Sequence, residues 1–352
     1  MNIAQIAPLY EAVPPKYYGG TERIVAYLSD ALVQLNHNVT LFASADAKTR
    51  ARLVPVRDQA IRLDPAPFKS DLAAHLVMLD DLRRRQDEFD VMHFHVDLLH
   101  FPIFEQVADR TVTTMHGRLD IKDLSNAIAR WPQFGLVSIS DSQRAPLTDA
   151  SWLATVPHGI PTDLFRFTPK PAGGYLAFLG RMSPEKRPDR AIALALRAGY
   201  PLKIAAKIDP LDQSYFRQVI APLLDYPLVD FIGEIGDADK SSFLGNAIAL
   251  LFPIDWPEPF GIVMIEAMAC GTPIIAWDCG SVAEVVEHGL TGLIVHSDEE
   301  ALIAVERART LNRLRIRHAF ERKFSAGAMA KRYLDVYARL INAASGDLRN
   351  AV

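Results

Sequence analysis

Short apolar runs alternate with helix-periodic stretches along almost the whole chain, and that rhythm restricts the fold more tightly than any other feature of the sequence. Runs at residues 3–7, 39–43, 91–94 and 112–115 are short and, the two threonines of the last apart, predominantly apolar, as strands covered on both faces are. Between the first two, residues 21–36 place Ile24, Leu28 and Leu32 four apart with Val25 beside them, the core-facing stripe of a helix. Strand, helix, strand in that order predicts parallel pairing through crossover helices.

The rhythm breaks over residues 157–174, where Pro157, Pro161, Pro169 and Pro171 with Gly159, Gly173 and Gly174 interrupt both periodicities. This stretch reads as an interdomain linker. Alternation restarts at 175–179, 202–206, 228–232, 249–252, 274–277 and 293–295. The expectation is an α/β chain of two Rossmann-like, doubly wound parallel-sheet domains, 1–165 and 166–325, and a length of 352 residues accommodates both. A last helical segment, 326–341, carries Tyr333, Val336, Tyr337 and Leu340 at helical spacing. It has two placements: closing the second domain, or crossing back so that 326–352 joins the first.

Hydrophobic residues make up 49% of the chain and charged ones 23%, enough apolar side chains for two cores. The net charge of −4, with both signs mixed, leaves no basic field for a polyanion and argues against nucleic acid as a partner. Arg83, Arg84 and Arg85 form the one basic run, but Asp80, Asp81, Asp87 and Glu88 lie around them, the pattern of a solvated helix face; membrane contact is left open without support. Two cysteines, Cys270 and Cys279, and no histidine cluster at ligand spacing speak against a disulfide framework or a zinc site. The start lacks a basic, apolar leader and no run of about 18 apolar residues occurs, so a cytoplasmic protein is expected.

Three segments combine glycine, cations and carboxylates near strand ends. After a first strand expected to end at Pro8, Gly19-Gly20 stands before a helix expected from Thr21. Backbone N–H groups there are open to an anion, and the helix end adds about 0.3–1 kcal/mol. A loop glycine pair with Thr21 or Gly20 as cap accounts equally for the pattern, and there is no GxGxxG fingerprint after the strand. In the second half, Gly180-Arg181 closes a strand and Lys186 follows. A guanidinium fork and an ammonium can neutralise a diphosphate whose charge grows as a bound group leaves, unless both are surface charge beside Glu185 and Arg187. The third segment runs from a strand ending near Phe252, through a Pro-rich loop, into a helix expected from Phe260. Glu258 then lies just before the helix and Glu266 in its second turn, with the N–H groups of Phe260, Gly261 and Ile262 free for a phosphate or sugar. Carboxylates accept hydrogen bonds from paired hydroxyls, although Glu258 as a plain cap and Glu266 facing water is the structural alternative.

Residues 258–273, from Glu-Pro-Phe-Gly through Glu266 to Cys-Gly-Thr-Pro, resemble the EX7E motif of the retaining glycosyltransferases of family four. Gly19-Gly20 is similar to that family's glycine loop, and His116-Gly117 to its histidine after an N-domain strand. Pro157-His158-Gly159-Ile160 with Asp163 and Phe165 is similar to its linker, and Gly180-Arg181 through Lys186 to its GRxxxEK segment. The resemblance covers nearly the whole chain. It implies a GT-B fold, two domains facing a central cleft, and retaining transfer of a hexose-type sugar from a nucleotide diphosphate sugar, UDP-sugar ahead of GDP-sugar. The acceptor hydroxyl belongs to a small molecule, a lipid-linked saccharide or a growing saccharide. No cofactor and no obligatory metal is implied, the nucleotide sugar being a substrate.

Residue by residue, the resemblance implies that Arg181 and Lys186, after Gly180, hold the diphosphate, with Gly19 and Gly20 closing on it from the other domain. Glu266 binds the ribose hydroxyls. Glu258 faces the transferred sugar with the amides of Phe260, Gly261 and Ile262, and His116 approaches the same sugar; the base lies near Gly233, Glu234 and Ile235. Retention in the family is described as front-face attack, so Glu258 is not assigned as a nucleophile. A donor aimed at developing charge is worth about 3–4 kcal/mol against about 1 for a helix end, so the cations should contribute more than Gly20 does.

Some positions depart from the family pattern. Ile254 stands where serine is common, and Cys279-Gly280-Ser281 where Gly-Gly precedes the glutamate matched by Glu284, which puts the contribution of Glu284 in doubt. Asp237-Ala238-Asp239 spells the DxD of metal-dependent transferases, but before a helix an aspartate is more simply an N-cap. His93, His95 and His100 lack a metal spacing and read as cleft lining or strand-end polarity. Two competing functions use the same architecture: a non-hydrolysing nucleotide-sugar epimerase, and a catalytically idle nucleotide-sugar binding protein.

Overall fold

The computed structural model describes residues 1–16 and 19–350. The chain divides into two compact units, Met1–Gly159 with the stretch from Ala326 onward, and Ile160–Ser325. Each is built on one sheet whose pairings are parallel throughout.

In the first unit the strands are β1 (Asn2–Ile6), β2 (Asn38–Ala43), β3 (Arg52–Pro55), β4 (Val91–Phe94), β5 (Thr111–Thr114), β6 (Leu136–Ser138) and β7 (Trp152–Thr155). Their order across the sheet is β3-β2-β1-β4-β5-β6-β7, so the direction of winding reverses between β1 and β4. β4 and β5 are buried at every position, as interior strands covered on both faces are, although three of the four residues of β5 are threonines. The structure adds β3, β6 and β7 to the strands legible in the sequence. β3 and β7 are the sheet's edges and β6 is three residues long, so none carries enough apolar positions to announce itself. β1 ends at Ile6 rather than at Pro8, which has no N–H to give a ladder.

The helix Gly20–Gln34 buries Ile24, Val25, Leu28 and Leu32, the stripe read from its periodicity, and begins at Gly20, one residue before Thr21. The C-terminal helix, Ala326–Asn350, packs against it. Its Met329, Ala330, Tyr333, Val336 and Tyr337 are buried, and the Gly159 N–H donates to the Met329 sulfur at 3.2 Å. After completing the second unit, the chain thus finishes on the first.

The second unit contains β8 (Leu176–Arg181), β9 (Leu202–Lys207), β10 (Val229–Gly233), β11 (Ala249–Phe252), β12 (Ile274–Trp277) and β13 (Gly292–Val295), in the order β10-β9-β8-β11-β12-β13. The winding reverses between β8 and β11. Its core gathers Leu176, Phe178, Ile192, Leu202, Ile204, Leu251, Ile275 and Leu293 with the inner face of the helix Asp298–Ala308. Residues 160–165 group with this unit, because Arg317 donates to the Phe165 carbonyl at 3.1 Å and to the Thr162 carbonyl at 2.5 Å. Among the described residues, no helix is long and apolar enough to cross a membrane.

Arg313 shows how this unit satisfies a buried cation. Its guanidinium donates to the carbonyls of Thr168, Ala247 and Gly245 at 2.8, 3.1 and 2.7 Å and to the Thr272 hydroxyl at 2.7 Å. Burial pushes its pKa down to about 10, still charged at neutral pH. Arg313→Ala strands three carbonyls, each worth about 1–3 kcal/mol when left unpaired. Urea denaturation is expected to show a loss of about 3 kcal/mol or more; a loss below about 1 kcal/mol would show that water replaces the guanidinium.

Candidate active site

The carboxyl ends of β8 and β11 meet at the reversal of strand order, where open parallel sheets bind ligands. Arg181 is the last residue of β8, directly after Gly180. Its guanidinium pairs with Glu185 and stands 3.6 Å from the Asp212 carboxylate. Lys186 closes the short 3₁₀ turn Pro184–Lys186 and pairs with Glu258, which follows β11. The indole N–H of Trp256 donates to the same Glu258 oxygen at 2.9 Å, while the Lys186 ammonium lies 5.0 Å from the Trp256 ring centroid and 6.0 Å from that of Phe252. Both cations therefore sit among carboxylates at one strand-end locus, Lys186 beside aromatic faces as well, and neither is a freely solvated surface charge. Arg187, in a left-handed conformation, ties this turn to Asp189 at 3.0 Å and to Asp255 of the β11 loop at 2.6 Å.

The loop after β11 is held from beneath. Gly280 has φ of 60°, and a Cβ there would overlap the backbone amide of Glu258. Ser281 donates its N–H to the Glu258 carbonyl at 3.0 Å and its hydroxyl to the Phe260 carbonyl at 2.9 Å. The Cys279-Gly280-Ser281 departure from the family pattern thus keeps a glycine where the approach is closest and adds a hydroxyl clamp. Glu284, in the helix Val282–Val285, is exposed.

The following helix begins at Ile262, not at Phe260, because Gly261 adopts φ of 76° as its N-cap, a conformation that suits glycine. Phe260 is buried and Ile262 opens the helix, so the amides of Gly261 and Ile262 belong to its unsatisfied first turn. Glu266 is buried, which excludes the reading in which it faces water. Lys240 reaches it at 2.8 Å and also stands 3.3 Å from Asp237. Asp237 is the first residue of the helix Asp237–Gly245 with Gly236 as its cap, so the aspartate is not the N-cap its sequence suggested. Gly233 ends β10 with φ of 78°, and Glu234 and Ile235 follow, the glutamate exposed.

Gly19, Gly20 and His116 belong to the first unit. Gly19 is buried as the N-cap of the helix Gly20–Gln34, where a Cβ would meet Pro15 at 2.9 Å, and Gly20 is exposed. His116, just after β5, contacts His95 at 2.8 Å and stacks on His158 with ring centroids 5.2 Å apart. His93, His95 and His100 are buried in the core rather than lining a surface. His93 bonds Tyr337 and Thr114, both at 2.7 Å; His95 bonds Gln5 at 2.8 Å; and His100 stacks on Phe94 at 3.7 Å.

Trp256, Lys240, Arg187, Gly280 and Ser281 were not selected from sequence. Only Gly280 and Ser281 carried a signal, as the departure from the family pattern; the others are ordinary residues until the fold sets them beside Glu258, Lys186 and Glu266.

Residues 162–322 match the model for glycosyl transferases group 1, and residues 18–164 that for glycosyltransferase family 4. The chain is a group 1 glycosyltransferase. This glycosyltransferase is 26% identical to the phosphatidyl-myo-inositol mannosyltransferase of Mycobacterium leprae, over 95% of its own chain and 93% of the relative. Sucrose-phosphate synthase from Thermosynechococcus elongatus superposes with a TM-score of 0.79 at 19% identity, covering 97% of the glycosyltransferase and all of that chain. Anabaena HepE, in complex with UDP and glucose, gives a TM-score of 0.72 at 18% identity over 96% and 99%. The fold of the glycosyltransferase is GT-B.

Two consequences follow from this geometry. Gly280→Ala should displace Glu258 and cut turnover at least tenfold, read with the purified enzyme and its donor; undiminished turnover would show that the loop moves without cost. In the first unit, desolvation holds the pKa of His93, His95, His100 and His158 well below 6.5 and pushes that of His116 down to about 3. The folded values lie below the unfolded one, so stability is complete above about pH 6.5 and falls with acidification. Each histidine contributes up to about 1.4 kcal/mol per pH unit. Hydrogen exchange of the β4 amides should therefore accelerate steeply below pH 6.5 after correction for intrinsic rates; protection unchanged down to pH 5 would contradict this.

Proposed function

We propose that this glycosyltransferase transfers a hexose-type sugar with retention from a nucleotide diphosphate sugar, a UDP-sugar first, to an acceptor hydroxyl. The observation that carries the reading is the convergence of Arg181, Lys186 and Glu258 at the carboxyl ends of β8 and β11. Arg181 and Lys186 exchange their carboxylate partners for the diphosphate and neutralise the charge that grows as the sugar–phosphate bond breaks. One such donor supplies about 3–4 kcal/mol of transition-state stabilisation. Two fixed cations here do the charge-neutralising work that other transferases give to a divalent ion, so no obligatory metal is expected.

Glu258, released from Lys186, accepts hydrogen bonds from sugar hydroxyls, and the amides at Gly261 and Ile262 add donors beside it. Glu266, with one oxygen on Lys240, offers the other to ribose hydroxyls, and residues 233–235 border the base. To Gly20 and His116 of the first unit the same reading assigns the diphosphate and the transferred sugar. The departing phosphate takes the acceptor's proton, which leaves Glu258 with no covalent step. Structures on the same fold are recorded with UDP and glucose in one case and with ADP in another, so the titration below includes both bases.

Thermal-shift titration against UDP, GDP, ADP and their sugar conjugates tests the reading, because a ligand specific for the native state raises the midpoint, by about 2.7 kcal/mol of stability at a hundredfold excess over Kd. UDP is expected to stabilise the wild type, EDTA to change nothing, and Arg181→Ala to abolish the shift. The anomeric proton of the product should show by NMR the configuration of the donor sugar. No shift with any nucleotide at millimolar concentration, or an inverted product, would overturn the proposal.

A further inference from the structure

The environment of His116 is set by two core residues to which the proposed function gives no role. Gln5 lies in β1 and is fully buried, and His95, just beyond β4, is nearly so. The Gln5 carboxamide oxygen is 2.8 Å from His95 Nε2, and His95 Nδ1 is 2.8 Å from His116 Nε2. An amide oxygen can only accept, so His95 Nε2 carries a proton. Burial first, then the neighbouring histidines 93, 116 and 158, keep the His95 ring neutral, which leaves its Nδ1 as a bare acceptor. The proton between the two rings therefore belongs to His116 Nε2. Because His116 is itself neutral, its Nδ1 carries a lone pair and no proton. That atom is covered and makes no hydrogen bond within the protein.

The orientation of the Gln5 amide decides this chain of donors, and its other end is anchored too. Gln5 Nε2 donates to the Tyr337 hydroxyl at 3.1 Å, and that hydroxyl is 2.7 Å from His93 Nδ1. His93 Nε2 meets the Thr114 hydroxyl at 2.7 Å, and Thr114 meets Tyr333 at 2.8 Å. With the amide nitrogen on Tyr337, donation runs from the amide to Tyr337, from Tyr337 to His93, from His93 to Thr114 and from Thr114 to Tyr333. The C-terminal helix, which supplies both tyrosines, thus acts on Gln5 and through it on His95.

We infer that His95, oriented by Gln5, is a positioning residue that locks His116 as its Nε2–H tautomer and keeps the lone pair of the ring on Nδ1. The inference rests on the reading of His116 as a sugar-facing residue for its effect on catalysis, but not for the tautomer itself. An acceptor nitrogen selects a hydroxyl donor and rejects a phosphate oxygen, which has no proton to give at neutral pH.

Nitrogen-15 NMR of histidine-labelled full-length enzyme at pH 7.5, with His116→Gln to assign the signal, reads the tautomer directly. A pyridine-type Nδ1 and pyrrole-type Nε2 for His116 in the wild type are expected, with a mixture of tautomers in His95→Phe. Steady-state kinetics should show kcat/KM for the sugar donor lowered about tenfold in His95→Phe, the cost of one lost hydrogen bond, while the affinity for free UDP stays unchanged. His95→Asn, whose side-chain oxygen can replace Nδ1, should recover most of that loss. A proton on His116 Nδ1 in the wild type, or the same tautomer and the same kcat/KM in His95→Phe, would overturn the inference. Should no nucleotide sugar prove to be a donor, the NMR result still decides the tautomer, so the two failures are distinguishable.

Discussion

Parallel pairing of β8 with β11 is the constraint on which the second unit's chemistry depends. The two strands are distant in sequence, and only their adjacency brings the guanidinium that ends β8 and the lysine of the next turn to the glutamate that follows β11. Reversal of strand order at that pair sends the crossovers to opposite sides of the sheet and leaves the strand ends uncovered. Arg187 and its two aspartates then fix the turn and the loop to each other. A charged locus of this kind is costly to build, since every cation and carboxylate must be partly taken from water. It is tolerable because each charge meets an opposite one: Arg181 with Glu185, Lys186 with Glu258, Lys240 with Glu266.

Most of the architecture was legible because buried parallel strands are nearly continuous apolar runs. β4, β11 and β12 coincide with the runs seen in the sequence, the other interior strands that were read differ by one or two residues at their ends, and the three-residue β6 was not read at all. The edges of the second sheet, β10 and β13, were legible, whereas β3 and β7, the half-exposed and short edges of the first, were not. At the strand ends of the second unit, the family pattern singles out Arg181, Lys186, Glu258 and Glu266 but not the residues that contact them. Trp256 hydrogen-bonds a carboxylate two positions along a Pro-rich loop, Lys240 reaches Glu266 from another helix, and Ser281 grips a carbonyl 21 residues away. None of these contacts leaves a periodic trace. The start of the helix at Ile262 was misplaced for a related reason: Gly261 was read as part of a motif, while its left-handed backbone makes it a boundary.

The first unit solves a different problem. Its core contains a connected polar system of Gln5, His93, His95, Thr114, Tyr333 and Tyr337, where an apolar core of the same volume would be simpler to stabilise. Desolvation keeps the histidines neutral, so the system carries hydrogen bonds and not charge. The return of the C-terminal helix to this unit gains meaning here, because its tyrosines complete a network that begins in β1. Fold closure and the orientation of the Gln5 amide beside His95 are served by the same side chains.

Arg181 and Lys186 are proposed to recognise a diphosphate. Isothermal titration of UDP and UMP into the wild type and into Lys186→Met isolates the contribution of the second phosphate, by which the two ligands differ. Lys186→Met is expected to weaken UDP by about 100-fold, the worth of a charge-assisted hydrogen bond of about 3 kcal/mol, and UMP by less than about threefold. Equal losses for both ligands, or none for UDP, would contradict the claim.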